Sequence, residues 1–75
     1  MQAAYVPEWA REDGQSLYTV YFAHRTMRGS FSSVTVSASD GPNAITRAYH
    51  RLALLRSLTH DEARQQWAFV MAGVL

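Results

Sequence analysis

Seventy-five residues, 48% hydrophobic and 17% charged, with no cysteine and a formal net charge of +1, set the outer limits. That length predicts one small domain, in which a second domain, a dinucleotide-binding fold or a deep catalytic cleft is hard to accommodate, and it rules out large enzyme folds. Without cysteine there are no disulfides, thiolate zinc sites or thiol nucleophiles, so the core must be efficient or a partner chain must complete its burial.

Residues 1–15 read as a lead-in. Gln2 to Val6 suits an edge strand, Pro7 opens a turn of helix through Glu8, Trp9 and Ala10, and Glu12-Asp13-Gly14-Gln15 is a break. From Ser16 to His24 the run is β-branched and aromatic, with Tyr18, Val20, Phe22 and His24 on its more apolar face. Phe31 to Ala38 alternates Ser or Thr with Val34, Val36 and Ala38, the pattern of a half-exposed strand. Residues 16–38 therefore predict an antiparallel hairpin.

Asp40 is placed to cap a helix over residues 41–57, with Pro42 in its first turn, where a missing N–H is harmless. Ile45, Ala48, Tyr49, Leu52 and Leu55 form its expected core stripe; Arg47, His50, Arg51 and Leu54 fall opposite. Thr59 and Glu62 have capping-box spacing, and Asp61 adds negative charge at a helix start. Ala63, Trp67, Val70, Met71 and Val74 share one helical face, so residues 60–74 are expected to form a second helix, although the apolar run from Trp67 also fits a strand. The expected fold is α+β: an antiparallel β-hairpin followed by two α-helices packed on one face of the small sheet, in a single domain over residues 1–75.

Trp67 to Leu75 is about half the length of a membrane span, and the N-terminus has no basic region followed by an apolar run. A cytoplasmic protein with no membrane partner is the expectation. All seven basic residues are arginine. That bias follows either from GC-rich codon usage or from a surface suited to bidentate contacts with phosphate or carboxylate. Residues 1–13 are acidic, carrying Glu8, Glu12 and Asp13 against Arg11; residues 14–60 are basic, carrying Arg25, Arg28, Arg47, Arg51 and Arg56 against Asp40.

Catalytic constellations are missing from the sequence. The acids come as neighbours at a turn and a helix start, no Gly-x-Ser-x-Gly elbow surrounds any serine, and the four glycines are too scattered to cradle a phosphate. His24, His50 and His60 lack the spacing of a metal site. No enzyme, metal or cofactor is expected.

Two binding chemistries compete for the remaining residues. A protein partner suits Arg25, Arg28, Arg47, Arg51 and Leu54, because arginines rimming an apolar centre at Leu54 and Leu58 resemble the energetic centre of an interface; the alternative is that the lead-in covers both leucines, with Tyr5 or Trp9 packing over them. A homodimer is the simplest such assembly, since a two-stranded hairpin alone is marginal. Nucleic acid suits Tyr21, Arg25, Arg28 and Phe31, where aromatics stack bases and arginines neutralise phosphates. Arg28-Gly29-Ser30-Phe31 resembles the opening of an RNA-recognition-motif signature, but Ser33 and Thr35 stand at its later aromatic positions.

In length, hairpin-plus-helix order from Ser16 to Ser57, arginine without lysine and lack of catalytic residues, the chain resembles the small inhibitors of anti-CRISPR type made by phages and mobile elements. The resemblance lies in size and style rather than in a motif. It implies a stoichiometric, non-enzymatic binder of a bacterial defence complex. Many such binders are acidic mimics of nucleic acid, and this chain is not.

Overall fold

A computed structural model describes residues 14–75. The order is β1 (Ser16–His24), β2 (Phe31–Ala38), α1 (Gly41–Arg56), α2 (His60–Gln66) and β3 (Trp67–Val74). The edge strand expected at Gln2 to Val6 and the helical turn after Pro7 lie outside the described residues.

β1 pairs antiparallel with β2, Val20 facing Val34 and Tyr18 facing Val36, and antiparallel with β3 on its other side. The sheet order is β2-β1-β3. Gly29, at φ 78°, turns the chain between β1 and β2. His24 organises the same turn: its Nδ1 accepts from the backbone N–H of Thr26 at 3.3 Å and of Met27 at 3.1 Å. The His24 N–H donates to Ser30 and the Arg25 N–H to Gln66, so even-numbered residues of β1 bond to β2 and odd-numbered ones to β3. By the same alternation, the backbone groups of Phe31, Ser33, Thr35 and Ser37 point away from β1, along the outer edge of β2.

Asp40 caps α1 by accepting from the Asn43 N–H at 2.9 Å. At the other end Ser57 takes a left-handed conformation at φ 55°, and the Leu58 N–H reaches back to the Ala53 carbonyl at 2.8 Å. This Schellman closure turns Leu58 onto the core, where it is partly buried. Along α1 the buried stripe is Ala44, Ala48, Tyr49, Leu52 and Ala53, with Ile45 packed beside it. Leu55, expected in the core, is 63% exposed, and Ala53 takes that place. In the last turn of α1 it is Ala53, and after the Schellman closure Leu58, that meet the core. α1 packs these residues on Val20, Phe22, Val34, Val36 and Ala38, one face of the sheet.

The second expected helix is the main correction. α2 starts as expected, with the Thr59 hydroxyl accepting from the Glu62 N–H at 3.1 Å and the Glu62 carboxylate accepting from the Thr59 N–H at 2.8 Å. It ends at Gln66, and residues 67–74 form strand β3 instead. The apolar spacing of Trp67, Val70, Met71 and Val74 satisfied a helical period, but Val70, Met71 and Val74 are exposed. An unpaired β1 edge of backbone donors and acceptors captures this stretch, and three strands are stable where two are marginal. The helices therefore do not follow a finished sheet; α2 bridges α1 to the strand that completes it.

Trp67 marks the changeover. Its N–H still donates to the Ala63 carbonyl, while its own carbonyl accepts from the Tyr49 hydroxyl at 2.9 Å. The Tyr49 ring packs 4.7 Å from Phe22, centroid to centroid. Leu52→Ala is expected to lose about 2–5 kcal/mol of stability, and Leu55→Ala less than roughly 0.5 kcal/mol. Urea unfolding of the two variants checks the observed stripe against the one periodicity suggests.

Candidate functional site

Three of the five residues expected to meet a protein partner converge. Arg47, Arg51 and Leu54 rise from the outer side of α1 and, with His50, face Thr35, Val36 and Ser37 of β2 across a groove of about 370 Å³. Leu54 is 82% exposed. From Arg47 to Leu54 the helix climbs about 10 Å, the rise of three extended residues. Among the described residues, no acidic side chain lines the groove.

Arg47 closes one end. Its Nη1 donates to the Ser37 carbonyl at 2.9 Å, and lies 3.5 Å from Oε1 of Gln15. The same Gln15 oxygen accepts from the Ser37 hydroxyl at 2.8 Å. These contacts fix the guanidinium against β2, whose neighbouring outward groups, at Thr35 and Ser33, remain beyond its reach.

Arg25 and Arg28 do not join this site. They stand at the hairpin-turn end of the sheet, where the Arg25 Nε donates to the Arg64 carbonyl at 3.1 Å. Tyr21 and Phe31, the aromatics expected to stack bases, lie on the sheet face opposite α1. Tyr21 sits between Ser33 and Met71, Phe31 faces Ala23, and Phe31 is 71% exposed. Tyr21, Phe31 and Met71 thus form an open apolar face with Arg25 and Arg28 at its end.

A second hollow of about 230 Å³, lined by His24, Met27, Ser30, Arg56, Leu58, Gln66 and Trp67, went unforeseen from the sequence. Arg56 has a structural use there: its guanidinium carbon lies 4.8 Å from the Trp67 ring centroid, and Nη2 donates to the Ser32 hydroxyl at 3.4 Å. The lining β2 residues of the groove were likewise unforeseen. Their Ser/Thr-Val alternation marked a wet face, and nothing local marked β2 as a sheet edge.

The three histidines do not gather. His24 meets Trp67 edge-on at 5.0 Å, whereas His50 and His60 stack at 4.1 Å with planes 4° apart. Among the described residues no group of three or more His, Cys, Asp or Glu is placed to hold a metal ion. No helix among them is long and apolar enough to cross a membrane.

His60 joins the groove side of α1 to α2, accepting at Nε2 from the Arg64 Nε at 3.3 Å. Desolvation in the stack, with the adjacent His50 and Arg64, holds its pKa below the ordinary 6.5; Asp61 opposes the shift. The unfolded chain binds this proton more readily than the folded one, so stability is intact above 6.5 and declines as pH falls below it. His60→Gln is expected to flatten that decline. Thermal melts on either side of this pH, for both proteins, check the difference in slope.

Comparison with protein-family models, with curated proteins and with solved structures gives no match to this chain, and the functional reading rests on its own geometry.

Proposed function

We propose that this chain is a non-enzymatic protein-binding module whose contact surface is the groove between α1 and the edge of β2. The observation that carries the reading is the convergence of Arg47, His50, Arg51 and the exposed Leu54 around a single open groove. An apolar centre beside arginines is the composition of an interface core and its rim. The partner class to test first is the one implied by resemblance to phage-encoded inhibitors, a protein complex of bacterial defence bound stoichiometrically.

A second reading draws on the open sheet face. Tyr21, Phe31, Arg25 and Arg28 occupy that face and its end, an arrangement suited to stacking the bases of single-stranded nucleic acid and meeting its phosphates. The two readings differ in salt response, since release of counterions from phosphates gives a steep linear fall of log affinity with log salt. An apolar interface with a few charges changes far less.

Affinity capture from a bacterial host carrying a defence complex, with and without nuclease, separates them. The expected result is a nuclease-resistant, stoichiometric partner whose recovery falls about tenfold or more with Leu54→Asp or Arg51→Glu and is unchanged with Phe31→Ser. Recovery lost on nuclease treatment, or lost with Phe31→Ser alone, overturns the groove reading in favour of the sheet face.

A further inference from the structure

We infer that the occupant of the groove is an extended acidic segment of the partner protein, added as a fourth strand to the outer edge of β2. This inference rests on the groove being the contact surface and adds how it is used and by what.

The backbone supplies the first argument. Antiparallel pairing to β1 consumes the N–H and C=O groups of Ser32, Val34 and Val36, and turns those of Ser33, Thr35 and Ser37 outward. The Arg47 guanidinium takes the Ser37 carbonyl and so marks where a new ladder must stop. Thr35 and Ser33 lie next along the edge, with a regular strand behind them: the pairing of β1 with β2 runs without a shift from Ser16↔Ala38 to Ala23↔Phe31. The opposite sheet edge is less suited. β3 begins with its outward carbonyl held by Tyr49, and its pairing shifts register between Tyr21 and Phe22, an irregularity that discourages strand addition.

Charge supplies the second. A strand laid on β2 places alternate side chains toward α1, where they meet Arg47, His50, Arg51 and Leu54. Two guanidiniums and, among the described residues, no carboxylate line that wall, so acidic side chains are drawn in and basic ones repelled. Leu54 offers an apolar contact one turn beyond Arg51. The eight residues of β2 itself carry no charge, which makes a second copy of β2 a poor match to the arginines.

The test uses the full chain, nitrogen-15 labelled, and two synthetic peptides: acetyl-Thr-Glu-Val-Glu-Thr-amide and its counterpart with lysine for glutamate. The glutamate peptide is expected to bind about tenfold tighter or better, to move the Ser33 and Thr35 amide resonances most, and to lose binding when its alternate amides are N-methylated. Thr35→Pro removes an outward N–H that serves no ladder in the sheet, so the fold is expected to persist by circular dichroism and the peptide to be lost. Thr35→Val is the control: it gives up the 3.4 Å hydroxyl contact with Thr19 and keeps the N–H.

Equal binding of both peptides, no binding of either, or indifference to N-methylation overturns the inference. So does a dimer in sedimentation that Thr35→Pro abolishes, since the occupant is then a second copy. The two readings fail separately. Partner capture that depends on Leu54 and Arg51 but ignores Thr35→Pro sinks strand addition and leaves the groove standing, whereas capture indifferent to all three residues sinks the groove itself.

Discussion

The hydrogen bond from the Tyr49 hydroxyl to the Trp67 carbonyl, 2.9 Å long and buried, is the contact on which the arrangement of the remaining elements depends. Tyr49 lies in the middle of α1, its ring against Phe22 of the central strand and the Arg64 guanidinium of α2 4.4 Å from its centroid. One side chain therefore touches three of the first helix's neighbours: the central strand, the second helix and the start of the third strand. The bond also resolves a local problem. Trp67 leaves α2 with its N–H still in a helical bond and its carbonyl directed away from β1, and an unpaired buried carbonyl costs about 1–3 kcal/mol. The phenol supplies the partner, so a seven-residue helix passes straight into a strand with no intervening loop.

That passage decides what the surface looks like. Because β3 occupies one side of β1, β2 becomes the opposite edge of the sheet, with α1 running alongside it. Arg47, His50, Arg51 and Leu54 then border an exposed backbone ladder instead of standing on an isolated helix face. Had residues 67–74 paired with β2 instead of β1, that edge would have been covered and the arginines of α1 would border no free strand.

The two faces of the sheet offer different chemistry. One is sealed by α1 over Val20, Phe22, Val34 and Val36; the other displays Tyr21, Phe31 and Met71. The groove couples backbone hydrogen-bonding groups to a one-signed wall, a combination that selects shape and charge together. The open face offers stacking area and scattered hydroxyls, such as those of Thr19 and Thr35, but no backbone ladder. Specific recognition of a partner chain is better served by the first, and this is why the groove rather than the aromatic face leads the functional reading.

Much of the local structure was legible in the sequence because its signals are local. The alternation of Val34, Val36 and Ala38, the Asp40 cap, and the reciprocal Thr59 and Glu62 capping box each act within a few residues and survive in the folded chain. The exposed Leu54 beside Arg47 and Arg51 was visible for the same reason, as a residue on the wrong side of a helical stripe. Leu55 misled because it fits the helical stripe yet stays exposed in the last turn of α1, where Leu58 packs against the core instead. The run from Trp67 to Leu75 was undecidable by periodicity, since a short apolar stretch fits both periods. Only the tertiary structure settled it: hydrogen bonds to a β1 edge more than forty positions earlier in the chain outweighed helical spacing. The groove depended on the same long-range event. The sequence by itself determined the hairpin, the caps and the basic face of the first helix; the position of the third strand, and with it which edge stays open beside that face, was decided by a pairing that no local pattern encodes.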